Sequence, residues 1–162
     1  MTVDVDVQKD SGARTLTVSA RFEASVERVW QLFADPRQLE RWWGPPSYPA
    51  TVVDHDLVPG GRVSYFMTGP EGQKHAGWWR VIAVDAPTIL EVEDGFADDS
   101  GAPNLDLPTC LMRMTLQADG TGTVLRTVTT FPSLEAMEQM TQMGMVEGIT
   151  AAIQQIPAVL AG

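Results

Sequence analysis

From Ala50 to Phe131 the chain repeats one pattern: short segments with a two-residue hydrophobic period, separated by tight-turn chemistry. The period predicts strands near Ala50–Leu57, Arg62–Met67, Lys74–Val84, Ile89–Gly95, Thr109–Leu116 and Thr123–Phe131. Pro59-Gly60-Gly61, Gly69-Pro70-Glu71-Gly72, Ala86-Pro87 and Asp119-Gly120 stand between them and leave no room for crossover helices. Sequential strands with short connections pair antiparallel. Ala97 to Asn104, polar and containing Gly and Pro, reads as a longer loop.

Two flanks complete the pattern. Upstream, Leu16, Val18, Ala20 and Phe22 alternate with Thr15, Thr17, Ser19 and Arg21, a half-buried first strand. Ser25 then caps a helix carrying Val26, Val29, Trp30 and Phe33, and Asp35-Pro36 opens a second short helix that Gly44-Pro45-Pro46 ends. Downstream, Ser133 caps a long C-terminal helix with Met145, Ile149, Ala152, Ile156 and Leu160 on one stripe and a kink at Pro157. One amphipathic sheet face and one amphipathic helix face must bury each other. The economical result is an α+β fold: a curved antiparallel sheet of about seven strands around a long helix, with two short helices after the first strand. Residues 1–13 read as a loose lead-in and 14–162 as a single domain.

At 162 residues, such a chain buries roughly two-thirds of its unfolded surface and needs no staple. One cysteine, Cys110, excludes an internal disulfide and a multi-Cys metal site; it reads as a buried, inert thiol. The formal charge of −10 argues against nucleic acid and anionic membrane surfaces as partners. There is no stretch of the roughly 18 to 20 apolar residues that span a bilayer and no signal-peptide pattern, so the expected location is cytoplasmic. No phosphate-binding, dinucleotide or nucleophile-elbow motif is present, and His55 and His75 lack metal-ligand spacing, so neither a cofactor nor a metal is expected.

Several residues in fixed order resemble a known family. Phe22-Glu23-Ala24 precedes Val29-Trp30; Asp35-Pro36 and Leu39 lead into Arg41-Trp42-Trp43-Gly44-Pro45, which looks like the WWGP hallmark of activator-of-heat-shock-protein-90-ATPase homologues. Asp56-Leu57-Val58-Pro59-Gly60-Gly61-Arg62 is similar to that family's D-x-R-P-G-G turn, with Val58 where Arg is commoner, and Gly72, Gly77 and Val81 fit the next two strands. The resemblance runs from about Arg14 to Leu160. It implies the START-like (SRPBCC) superfamily and its helix-grip fold, which holds hydrophobic ligand cavities between the curved sheet and the C-terminal helix.

The expected function is binding of a small hydrophobic molecule in that cavity, lined by Trp42, Phe66, Trp78, Phe96, Met112, Met114, Met145 and Ile149. Alternation with Ile82 and Val84 places Trp78 inward. An alternative is an enzyme of the polyketide cyclase kind, with His75, Arg80 or Glu93 as titratable groups in the same space. A third is a chaperone-related interaction module: Met140 and Met143 fall off the helical stripe and, if exposed, would mark a partner surface or a homodimer contact.

Overall fold

The computed structural model describes residues 3–98 and 100–162. Eight strands form one antiparallel sheet: β1 Asp6–Asp10, β2 Thr15–Phe22, β3 Ala50–His55, β4 Arg62–Thr68, β5 Lys74–Asp85, β6 Ile89–Phe96, β7 Cys110–Asp119 and β8 Gly122–Thr130. Their order is β1-β2-β8-β7-β6-β5-β4-β3, so β3 to β8 are a plain meander and β2 closes on β8. Turn chemistry that forbids crossovers leaves little else open to them.

The helices α1 Val26–Ala34 and α2 Pro36–Trp43 join β2 to β3. Both start as their sequence dictates: Ser25 Oγ accepts from Arg28 N, and the Asp35 carboxylate accepts from Arg37 N with Pro36 at the first turn. The WWGP corner is tight, since a Cβ on Gly44 would lie 2.2 Å from Tyr48 O. Val29, Leu32 and Phe33 of α1 are buried in one core with Leu90, Val92, Met114 and Leu116 of the sheet's inner face, and α1 lies against β7 and β8.

Three expectations are corrected. The lead-in contains β1, which pairs with β2 in register from Asp6↔Ser19 to Asp10↔Thr15. Val3, Val5 and Val7 alternate with acids into this strand, but its remaining residues Gln8, Lys9 and Asp10 are polar and exposed, so the alternation is too weak to announce it. The C-terminal helix is three helices, α3 Leu134–Gln142, α4 Met145–Ile153 and α5 Ile156–Ala161. Gly144 at φ 91° breaks the first junction, a left-handed conformation that glycine enters without a Cβ penalty. The second break falls at Gln154-Gln155, where Gln155 Nε2 donates to the Gly44 carbonyl at 2.6 Å and ties the helix end to the WWGP corner. Pro157 then sits in the first turn of α5, where its missing N–H costs nothing.

Third, the parity of β5 reverses. Val81 pairs with Val92 but Ala83 pairs with Glu91, so Ile82 is skipped in a bulge. Upstream of the bulge the inward residues are Trp79 and Val81, both fully buried in the core. Trp78 therefore faces the outer side of the sheet, with Arg80 and Arg62.

Candidate functional site

A cleft of about 280 Å³ opens between the inner face of β4–β7, the end of α2 and the α3–α4 junction. Its floor is Tyr65, Met67, Asp94, Phe96 and Met112; its walls are Trp43, Met140, Met143, Met145 and Ile149. The helix break makes the space. Gly144 turns the chain between α3 and α4, and Gly148 on α4 presents no side chain to the cleft. Five methionines give the lining an adaptable apolar surface.

One carboxyl lies in this apolar setting. In β6 the inward residues run Leu90, Val92, Asp94 and Phe96, with Trp79 opposite Asp94 on one side and Cys110 on the other. Tyr65 Oη donates to Asp94 Oδ1 at 3.2 Å. Tyr65 belongs to β4, two strands away, and it reaches Asp94 because Gly77 of β5 lies between them: a Cβ there would stand 2.5 Å from the Tyr65 hydroxyl. The indole N–H groups of Trp43 and Trp79 are buried and, among the described residues, have no hydrogen-bond partner. Trp43 packs edge-on to Trp79 with centroids 4.9 Å apart and to Tyr65 at 6.0 Å.

Burial raises the Asp94 carboxyl from its ordinary range to about 7, against the opposing pull of the Tyr65 hydroxyl and the nearby Trp79 N–H, which falls short of hydrogen-bond geometry. Part of Asp94 remains accessible, the part turned to the cleft. Burial and the Asp94 charge push the Tyr65 hydroxyl well above its usual value. Burial does the same to the Cys110 thiol, which is inert at neutral pH.

Of the eight expected lining residues, the structure brings Phe96, Met112, Met145 and Ile149 together in the cleft. Trp42 is in the core instead: its Nε1 donates to Leu32 O at 3.0 Å and its ring meets Phe33 edge-on. Its neighbour Trp43 takes the cleft wall. Met114 is buried in the core beside α1. Phe66 and Trp78 lie on the outer face, Phe66 under the Lys74 ammonium and Trp78 donating to Phe96 O. Phe66 there lines a wider groove of about 750 Å³ with Arg62, Lys74 and Ser100. That groove is larger, but its lining carries Asp54, Arg62 and Lys74 and is more polar than that of the cleft, whereas small-molecule sites are mostly apolar with a few polar groups.

The candidate catalytic residues do not enter the cleft. Arg80 and Glu93 pair with each other at 3.1 Å on the outer face. His75 is exposed at the end of β5 beside Tyr48, in a depression that shares Met67, Phe96 and Met143 with the cleft mouth. Met143 is exposed at that mouth while Met140 is buried. Sequence reasoning missed Asp94, Tyr65 and Trp43. The signal for Asp94 was present: an acid at the inward parity of Leu90 and Val92.

The family described as Activator of Hsp90 ATPase homolog 1-like protein matches residues 23–161. A crystal structure of a Mycobacterium smegmatis protein is 53% identical, covers 98% of this chain and 96% of its own, and superposes with a TM-score of 0.90. A solution structure from Arthrobacter aurescens is 46% identical over 96% of this chain and 91% of its own, with a TM-score of 0.93. A Silicibacter pomeroyi protein named AHSA1 is 21% identical, with coverages of 91% of this chain and 97% of its own and a TM-score of 0.72, and shows the fold alone. Among curated proteins, none matches.

Proposed function

The chain belongs to the Activator of Hsp90 ATPase homolog 1-like family, and from that premise we propose that its cleft binds a small hydrophobic molecule. The observation that carries this reading is one polar pair, Asp94 with Tyr65, set into an otherwise apolar cleft beside the α3–α4 break. Small-molecule sites combine apolar enclosure with a few polar groups that fix orientation. A volume of about 280 Å³ suits a ligand of modest size. The alternative of a cyclase-like activity would run through Asp94 and Tyr65 in this cleft, since Arg80 and Glu93 neutralise each other outside it. No helix among the described residues is long and apolar enough to cross a membrane.

Gly148 supplies the test. A Cβ at this position meets no heavy atom within 4 Å, so a side chain has room to start from the cleft lining here. Gly148→Leu also replaces a poor helix former inside α4 by a good one, worth up to about 1 kcal/mol in helix propensity. The variant is expected to melt no lower than the parent and to lose binding of 4-phenylbutan-1-ol in calorimetric titration, with the non-covalent adduct in native mass spectra lost as well. Binding undiminished in a folded Gly148→Leu protein would place the ligand elsewhere.

A further inference from the structure

The polar end of the cleft has a definite sign. Among the described residues, the lining contains one acid, Asp94, and no Lys, Arg or His. The groups that face Asp94 are Tyr65 from β4, Trp79 from β5 and Cys110 from β7, whose Sγ is 4.0 Å from Oδ2. None carries a positive charge. Glu93, next in sequence, turns outward to Arg80, and α3 and α4 face the site with Met140, Met145 and Ile149. Tyr65 donates to one Asp94 oxygen and leaves acceptor capacity on the carboxylate toward the open cleft.

An acceptor of this kind in an apolar enclosure discriminates strongly. A ligand carboxylate would be stripped of water beside a like charge with no cation to compensate, whereas a donor would complete the site. We propose that the ligand is a small apolar molecule whose buried end donates a hydrogen bond to Asp94, a protonated amine before an alcohol, and that carboxylic acids are excluded. The proposal rests on the cleft being the binding site and adds the class of molecule it selects. The net charge of −10 acts in the same direction, drawing cations toward the protein.

Three probes of one shape separate the cases: 4-phenylbutylamine, 4-phenylbutan-1-ol and 4-phenylbutanoate, titrated calorimetrically at pH 8 and pH 6. At pH 8 the amine is expected to bind at least about tenfold tighter than the acid, the scale of a charge-assisted hydrogen bond, with the alcohol between them. Amine affinity is expected to fall at pH 6, where Asp94 takes up a proton, while alcohol affinity stays nearly level. Asp94→Asn should bring the amine down to the alcohol, with its folding checked by melting at pH 5. The pH comparison on the unmodified protein gives the same answer without a variant. Equal affinities for all three probes, or preference for the acid, would overturn the ligand class and leave the cleft as the site. Failure of all three to bind would remove both.

Discussion

Asp94→Asn is expected to stabilise the protein at pH 8 and to stabilise it progressively less as pH falls toward 4. Asp94 titrates at about 7 in the folded chain, against an ordinary carboxyl value of 3.8. Between those two values the folded state holds a proton that the unfolded state has released. Stability in this window therefore falls as pH rises, and the loss is complete once pH passes the folded value. At 1.36 kcal/mol for each pH unit, the shift corresponds to about 4 kcal/mol at its upper limit. Asparagine keeps an acceptor for Tyr65 and never pays for a buried charge. A gain of about 2 to 4 kcal/mol at pH 8 follows, or a rise in melting temperature of about 5 to 10 °C. The other perturbed carboxyls, Glu23, Asp35 and Asp98, are lowered, so their contribution vanishes only below about pH 4 and does not enter the window. Melting curves for parent and variant from pH 5 to pH 8 read the difference directly. Parallel curves across that range would mean that Asp94 is ionised throughout and is not buried as described.

The second large effect separates two adjacent tryptophans. Trp42→Ala should cost about 3 to 5 kcal/mol, the range for deleting a large buried aromatic. Its ring is packed edge-on to Phe33 at 5.3 Å, and its removal strands the Leu32 carbonyl that Trp42 Nε1–H now satisfies. Trp43→Phe should cost far less, about 1 kcal/mol or below, because the Trp43 indole N–H satisfies no partner among the described residues and a phenyl ring keeps the edge contact with Trp79. Chemical denaturation at pH 5 gives both numbers. The ligand readout should invert: Trp43→Phe alters binding in the cleft, while any fraction of Trp42→Ala that folds retains the cleft wall. Equal destabilisation by the two changes would contradict the division of the pair into core and wall.

The same division shows what the sequence made legible. The meander from Ala50 to Phe131 could be read from period and turns alone, because each segment has one wet face and one dry one. The caps at Ser25, Asp35 and Ser133 could be read because each side chain pairs with a backbone N–H a few residues on. Which tryptophan faces inward on β5 could not be read, since one skipped residue at Ile82 exchanges the faces on either side of it. Parity counted back from Val84 puts Trp78 inside; the bulge puts Trp79 there. A tertiary contact also helps to set the second break in the C-terminal helix, where Gln155 holds the Gly44 carbonyl, a bond that no local pattern encodes. Asp94 is a different case. Its inward parity beside Leu90 and Val92 is present in the sequence, but its consequence depends on Gly77 letting Tyr65 cross a strand to meet it.

In the proposed function, a small molecule occupies the space between the sheet and the α3–α4 break. Methionine methyl NMR tests it most directly, since Met67, Met112, Met140, Met143 and Met145 line the cleft while Met114 lies in the core beside α1. On titration with 4-phenylbutan-1-ol, saturable shifts are expected at the lining methyls, together with the Trp43 indole signal, and little change at Met114. Shifts confined to residues of the outer face, such as Phe66 and Trp78, would contradict it.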